Sequence, residues 1–258
     1  MKKIAIYIKK GGVGKTLTAV TLAAALTKLN QRVLLIDLDK QRNSNILLGV
    51  DEKTHKYTIY NAFQRIIDED DPIDTKHLVH QVQGIDVIIG SPKLILTNQL
   101  LQSIENHKYV LKKLLDEYKF ENDYDYCIID CNPSDVKLAD NVLAAVDSII
   151  VPMEMDFQSV QALDDVSIDI KRAKESNSNL KVEGILYNKV QAHTKICREY
   201  MEEIKNGYPE LRVFDQYIPL SIDCKNACDA GINLIQYKPQ SKISVAYMGF
   251  AKELIGGC

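Results

Sequence analysis

Runs of apolar residues recur along the chain at intervals that fit alternating strands and helices. Short runs rich in Ile, Val, Leu and Tyr predict strands at residues 4–8, 32–39, 85–89, 124–130, 148–152, 181–188 and 213–219. Longer segments with helical spacing predict helices at residues 17–29, 57–67, 94–104, 109–118, 160–174 and 245–254. Strands that alternate with helices predict an α/β fold with a doubly wound, mostly parallel sheet flanked by helices.

Length and composition agree with one large domain. The chain has 258 residues, 46% of them hydrophobic, so we expect a single domain over residues 1–258. The net charge of −3 does not indicate a nucleic-acid-binding protein. No apolar run reaches the length of a membrane span, and residues 1–3 lead directly into a strand. We therefore expect a cytoplasmic protein with no membrane partner.

A glycine-rich segment separates the first predicted strand from the first predicted helix. It consists of Lys10, Gly11, Gly12, Val13, Gly14, Lys15 and Thr16. Glycines let successive backbone N–H groups curl around a phosphate, and the helix N-terminus adds partial positive charge. In such a loop Lys15 would reach the β- and γ-phosphates and the Thr16 hydroxyl would bind Mg²⁺. The alternative is an ordinary glycine turn between a strand and a helix.

Carboxylates follow two of the predicted strands. Asp37 and Asp39 close the strand at residues 32–39, and Asp130 closes the strand at residues 124–130. In open α/β sheets the carboxyl ends of the strands form the edge at which ligands bind. An apolar strand that ends in one acid, in a chain with a phosphate loop, predicts that Asp130 holds a water on Mg²⁺.

These motifs resemble the ParA/MinD family of P-loop ATPases, which have a deviant Walker A loop, and among them the small Soj-like partition proteins. The loop Lys10–Thr16 resembles the family's signature K-G-G-V-G-K-T. Residues 37–43 resemble the D-x-D-P-Q-x-N segment, with Lys40 in place of proline. Residues 130–133 resemble D-x-P-P, with Asn132 in place of the first proline, and residues 237–242 resemble Y-D-P-x-S-K. No helix-turn-helix segment precedes the loop, so we expect no operator-binding extension.

The resemblance implies roles for individual residues. Lys10 would cross a dimer interface to the phosphates of the partner's ATP, and Asp39 would position the attacking water. Asp37 would support the Mg²⁺ shell. Asn188, at the end of the sixth predicted strand, and Pro219, in an I-P turn, would contact the adenine base. Leu17 replaces a hydroxyl residue, so it would offer only its backbone N–H to the α-phosphate.

The resemblance also implies a function. The protein would bind ATP or ADP with Mg²⁺, form a homodimer with ATP, and hydrolyse ATP slowly. The ATP dimer would bind DNA nonspecifically and associate with the nucleoid, and a ParB-like DNA-binding protein would stimulate hydrolysis. The cargo would be a plasmid, a chromosome or a mobile element.

The DNA contact is the least specified part of this hypothesis. The residues after Pro219 are Leu220, Ser221 and Ile222, where the family has arginine. The remaining cationic candidates for a DNA contact are Lys189, Lys195, Arg198 and Lys225. A ParA-like ATPase that positions a non-DNA cargo is the main alternative. A MinD-like positioning ATPase is another, although residues 251–258 are short and weakly charged for an amphipathic membrane helix.

Overall fold

A computed structural model describes residues 1–102, 104–191 and 195–256, and for residues 195–198 it describes only the backbone. The chain forms one seven-stranded sheet with helices on both faces. The strands are β1 (Lys2–Ile6), β2 (Val33–Leu38), β3 (His80–Val82), β4 (Ile85–Ile88), β5 (Tyr126–Cys131), β6 (Ser148–Met153) and β7 (Lys181–Tyr187).

Twelve α-helices are found in the described part of the chain. They are α1 (Lys15–Lys28), α2 (Asn43–Leu47), α3 (Ile59–Asp68), α4 (Thr75–Leu78), α5 (Leu94–Gln102), α6 (Val110–Tyr118), α7 (Val136–Ala145), α8 (Phe157–Ala173), α9 (Lys195–Gly207), α10 (Asp223–Ala230), α11 (Leu234–Tyr237) and α12 (Lys242–Gly256). Short 3-10 helices cover Glu52–Thr54, His107–Tyr109 and Phe120–Asn122. The predicted α/β fold is confirmed.

The strand order is β3-β4-β2-β5-β1-β6-β7, and the sheet is parallel except for β3, which pairs antiparallel with β4. β1 lies between β5 and β6, and β5 lies between β1 and β2. The loop that follows β1 is therefore flanked by the carboxyl ends of β5 and β6. This central position is where open α/β sheets bind ligands.

Alternate side chains of β1 belong to two hydrophobic layers, one on each face of the sheet. Ala5, and Tyr7 directly after the strand, pack in the layer formed with α3, α5, α6, α7 and α8. Ile4 and Ile6 pack in the layer formed with α1, α10, α11 and α12. Because both faces are covered, β2 and β6 are buried along their whole length, and their sequences are continuous apolar runs rather than alternating ones.

The predicted strand at residues 213–219 was wrong. This segment makes only two isolated bridges, Ile185 with Val213 and Val190 with Pro219. The backbone N–H groups of Asp215 and Gln216 donate instead to the Glu253 carboxylate on α12, at 3.0 and 3.1 Å. These two N–H groups therefore bond to a side chain rather than to a strand.

The seventh strand of the sheet is β3, which the apolar pattern does not predict. It joins β4 through Gln83 and Gly84, both with positive φ (50° and 80°), as in a two-residue hairpin turn. No helix among the described residues is long and apolar enough to cross a membrane.

Candidate nucleotide-binding site

The glycine-rich loop connects β1 directly to α1, as the sequence predicts. Gly12 and Gly14 have φ values of 78° and 87°, a left-handed conformation that side chains with a Cβ rarely adopt. A Cβ at Gly14 would lie 2.6 Å from Nδ2 of Asn188, so a larger residue would also be excluded by close approach. A cleft of about 500 Å³ opens beside this loop, and Gly11, Lys15 and Thr16 contribute to its lining.

Lys15 is the first residue of α1 and extends back along the loop. Its Nζ donates a hydrogen bond to the Lys10 carbonyl at 2.8 Å. Burial lowers the pKa of Lys15, while the nearby Cys131, Asp130 and Asp39 raise it. The ammonium group therefore lies between the loop and the acids, close to where the phosphates of a nucleotide would lie.

Asp37 and Asp130 lie side by side on neighbouring strands, because they are register partners in the β2–β5 pair. Both are buried. Burial raises the pKa of Asp130 to about 6, although hydrogen bonds from the Thr16 and Ser44 hydroxyls oppose the shift. Burial and then repulsion from Asp130 raise the pKa of Asp37 well above its usual range. The sequence places both acids at this edge, but it does not predict Ser44, whose Oγ lies 2.9 Å from Asp130.

The acid pair fits a divalent cation. Asp37 Oδ1 accepts a hydrogen bond from the Asp39 N–H at 2.9 Å, and no donor among the described residues is bonded to its buried Oδ2. A bound cation would offset the repulsion between the two carboxylates and would give Asp37 Oδ2 a partner. Mg²⁺ in phosphate sites is usually held by one or two carboxylates together with water and phosphate oxygens. Asp37, Asp130 and the Thr16 hydroxyl match that requirement.

Asp39 comes directly after the end of β2 and is held by the segment that follows it. Its Oδ1 accepts a hydrogen bond from the Gln41 N–H at 3.0 Å, and its Oδ2 accepts one from Asn43 Nδ2 at 3.2 Å. Asp39, Gln41 and Asn43 all line the same cleft as the phosphate loop. Gln41 and Asn43 match the Q and N of the D-x-D-P-Q-x-N pattern, so the sequence carried a signal for them.

The segment that carries Asp39 is fixed to the sheet by an asparagine. In α2, Asn45 donates to the Gly90 carbonyl at 3.1 Å and accepts from the Gly90 N–H at 3.2 Å. Arg42 has a left-handed backbone (φ 57°) and pairs with Glu52. Arg42 therefore contacts a neighbouring acid, and Lys40 at the same turn is partly exposed.

Lys10 contacts the first turn of α8 in its own chain. Its Nζ contacts the Asp156 carboxylate and lies 3.0 Å from Ser159 Oγ, and its side chain is 14% exposed. Asp156 also caps α8, since its Oδ1 accepts the Ser159 N–H at 2.8 Å. Asp156 and Ser159 follow the carboxyl end of β6, so the rule that ligands bind at this edge could have drawn attention to them.

Asn188 and Lys189, at the end of β7, both contact the phosphate loop. Asn188 is buried and donates from Nδ2 to the Val13 carbonyl at 2.7 Å. Lys189 Nζ contacts the Gly12 carbonyl and lies 2.8 Å from Glu154 Oε1. Asn188 was expected at the base and Lys189 at DNA. The structure places both against the backbone of the loop, and the base and DNA contacts stay predictions.

The remaining predicted contact residues lie in several places. Pro219 bridges Val190 and helps to line a groove of about 670 Å³ beside α12. Leu17 lines the cleft beside the phosphate loop. Lys225 is exposed on α10. The side chains of Lys195 and Arg198 lie outside the described residues.

Comparisons with known proteins agree with this geometry. Residues 1–182 match a family described as an AAA domain. The sporulation initiation inhibitor protein Soj of Bacillus subtilis is 32% identical over 254 residues, covering 98% of each chain. The chromosome partitioning protein ParA of Myxococcus xanthus is 33% identical over 255 residues, covering 98% of this chain and 87% of its own.

A solved structure gives the same result for the fold. Cobyrinic acid a,c-diamide synthase from Mycobacterium smegmatis, with bound ADP and magnesium, superimposes with a TM-score of 0.82 at 26% identity. The alignment covers 98% of this chain and 94% of that one. The similarity therefore extends over nearly the whole chain.

Proposed function

We propose that this protein is a dimerising ATP switch that partitions DNA. The chain belongs to the AAA domain family and, with its Soj and ParA relatives, to the ParA/MinD group of P-loop ATPases. The observation that carries the proposal is the meeting of a phosphate loop, a buried acid pair and Asp39 at one edge of the sheet. The ATPase activity belongs to the family. The dimer, the DNA contact and the activating partner are the proposed parts.

The phosphates of ATP would lie in the cleft beside the loop. The loop N–H groups and the positive end of α1 would surround them, and Lys15 would turn from the Lys10 carbonyl to the β- and γ-phosphates. Bound Mg²⁺ would neutralise phosphate charge, and Thr16, Asp37 and Asp130 would hold it directly or through water. The ADP and magnesium in the related synthase structure support this assignment.

Asp39 would orient the attacking water. Its two oxygens are fixed by Gln41 and Asn43, so the carboxylate is held in one orientation beside the cleft. Hydrolysis would then depend on charge stabilisation around the transferring phosphoryl group by Lys15, Lys10 and the loop N–H groups. Turnover by the protein alone would be slow, and a ParB-like partner would accelerate it.

Lys10 would act on the ATP of a second subunit. In this chain its ammonium contacts Asp156 and Ser159, and it would have to leave both before it reached a partner's phosphates. One ammonium group cannot occupy both positions. Dimerisation would therefore exchange a contact within the chain for a contact between chains.

A non-DNA cargo is the second candidate function, and one observation favours it. Leu220 and Ile222, where the family has arginine after the I-P turn, are apolar and are 54% and 66% exposed. Lys189, one of the cationic candidates, is already paired with Glu154. This surface is less basic than a phosphate-backbone contact requires.

DNA binding separates the two candidates. Fluorescence anisotropy with a labelled duplex of arbitrary sequence should show binding with ATP, none with ADP, and a steep loss of affinity as salt rises. Lys15→Gln should abolish the ATP-dependent binding, and Lys181→Gln, at the far end of β7, should leave it unchanged. Equal binding with either nucleotide would contradict an ATP-dependent switch on DNA. No binding with ATP would exclude the partition proposal and favour the non-DNA cargo.

A further inference from the structure

Two side chains at the end of β7 hold two consecutive carbonyl groups of the phosphate loop. Lys189 Nζ donates to the Gly12 carbonyl, and Asn188 Nδ2 donates to the Val13 carbonyl at 2.7 Å. Asn188 also accepts the Lys189 N–H through its own Oδ1 at 2.9 Å. The two contacts therefore form one connected arrangement between β7 and the loop.

These contacts determine where the loop's N–H groups point. In a planar trans peptide the C=O and the N–H point in opposite directions. The Gly12 carbonyl shares its peptide with the Val13 N–H, and the Val13 carbonyl shares its peptide with the Gly14 N–H. A donor on each carbonyl therefore directs the N–H groups of Val13 and Gly14 away from β7. It also polarises both peptides, which makes each N–H a stronger donor.

The backbone around Lys189 is held in a conformation that lysine rarely adopts. Its φ is 53°, in the left-handed region. The Asn188 N–H donates to the Met153 carbonyl at 2.8 Å, and the Val190 N–H donates to the Ile218 carbonyl at 2.9 Å. Backbone contacts on both sides thus hold Lys189 in this conformation.

Glu154, in the loop after β6, fixes the ammonium group itself. Its Oε1 lies 2.8 Å from Lys189 Nζ, and the Lys189 side chain is 39% exposed. With the Gly12 carbonyl as its sole partner, the exposed lysine side chain would lose conformational entropy in return for a single hydrogen bond. The carboxylate keeps the ammonium over the Gly12 carbonyl.

We propose that Lys189 is a positioning residue that, together with Asn188 and Glu154, holds the phosphate loop in the orientation that receives the β-phosphate of a nucleotide. This inference rests on the proposed function only in so far as a nucleotide binds at this loop. It assigns Lys189 to the loop rather than to DNA. It assigns Asn188 to the loop backbone rather than to the adenine base.

Removal of the ammonium group tests the inference. Lys189→Met keeps the length of the side chain and removes the donor, and its dissociation constants for ADP and for ATP should both rise about tenfold. The rate at saturating ATP should fall less than the affinity for ATP does, since Lys189 itself contacts no reacting atom. Lys189→Arg should recover most of the affinity, and Glu154→Gln should give a smaller loss in the same direction.

Lys181→Met is the matched control, because Lys181 is an exposed lysine at the opposite end of the same strand. It should leave both dissociation constants unchanged. In nitrogen-15 spectra of the protein without nucleotide, the backbone amide signals of Val13 and Gly14 should move in Lys189→Met and not in Lys181→Met.

The other outcomes contradict the inference in different ways. A loss of ATP affinity with unchanged ADP affinity would mean that Lys189 touches the γ-phosphate directly. Unchanged affinity for both nucleotides, with weaker DNA binding, would mean that Lys189 contacts DNA and does not position the loop. A parent protein that binds ADP but neither dimerises nor hydrolyses ATP would contradict the proposed function, and the comparison of ADP affinities would still decide the role of Lys189.

Discussion

Asp37 and Asp130 illustrate how single residues at this site favour function over stability. Both carboxylates are buried on neighbouring strands, and Asp37 Oδ2 has no hydrogen-bond donor among the described residues. Because their hydrogen bonds offset burial and mutual repulsion only in part, the two acids raise the free energy of the folded protein. A cation bound between the two acids would offset this cost.

Asp130→Asn should therefore stabilise the protein in the absence of nucleotide and Mg²⁺. Because the pKa of Asp130 is raised from 3.8 to about 6, its charge destabilises the folded protein increasingly as the pH rises from about 4 through 6. At pH 7 the substitution should raise the free energy of unfolding by about 1–3 kcal/mol, and at pH 4 by almost nothing. Urea unfolding at pH 4, 5, 6 and 7 measures the difference.

The control for this prediction is an acid whose pKa moves the other way. Hydrogen bonds from Arg32 lower the pKa of Asp125 to about 2, so Asp125→Asn should be less stable than the parent by a similar amount from pH 7 down to pH 4, and the difference should shrink only below pH 4. The variant Asp130→Asn should also lose the additional stability that the parent gains from Mg²⁺ with ATP. Lower stability of Asp130→Asn at pH 7 would contradict this account of the acid pair.

At the scale of the elements, α8 determines where Lys10 lies. The first turn of α8 offers Lys10 a carboxylate and a hydroxyl, and the same carboxylate caps the helix. Further along α8, Asp169 binds the Tyr7 hydroxyl and Lys9, at 2.8 and 2.9 Å. Both lysines that precede the glycines are therefore tied to one helix.

Asp156→Asn should weaken this tie without disturbing the helix, because asparagine caps a helix as well as aspartate does. The partly exposed ion pair contributes little, so the ATP-dependent dimer should form at a protein concentration about twofold to fivefold lower. Sedimentation velocity over a concentration series with ATP measures the change.

Asp165→Asn, which alters an exposed acid on the same helix, should have no effect on the dimer. Weaker dimerisation of Asp156→Asn would mean that Asp156 helps Lys10 between subunits rather than retaining it within one.

The elements that the sequence predicted well are those with a strong apolar signal. Six of the seven predicted strands form, within a few residues of the predicted ends, because a strand buried on both faces must be a continuous apolar run. The segment at residues 213–219 has a similar composition, but the N–H groups of Asp215 and Gln216, at its centre, bond to Glu253, which lies more than thirty positions away. β3 has three residues and one partner strand, so only its Gln83-Gly84 turn could have indicated it.

Across the whole molecule, the parallel sheet brings together residues that are far apart in the sequence. The rule that ligands bind at the carboxyl edge was sufficient to place Lys15, Asp37, Asp39 and Asp130 in one site. It could not predict which side chains hold one another. The Lys189 contact with Gly12 depends on a left-handed backbone that hydrophobic periodicity does not encode, and the Lys10 contact depends on how α8 is positioned against the loop.

In the proposed dimer, two subunits share their ATP sites through Lys10. If so, Lys10→Ala and Asp39→Ala should each be inactive alone, because one lacks the lysine that reaches the partner and the other lacks the acid that orients water. In a mixed dimer, the Lys10→Ala subunit keeps its own Asp39 and receives Lys10 from its Asp39→Ala partner. One complete site is then present in each mixed dimer.

The most direct measurement is ATP hydrolysis by an equal mixture of these two variants. Random pairing makes half of the dimers mixed, each with one complete site of two, so the mixture should recover about a quarter of the parental rate. If Lys10 acts only within its own chain, neither subunit of the mixed dimer is complete. A mixture no more active than the separate variants would then contradict the shared site.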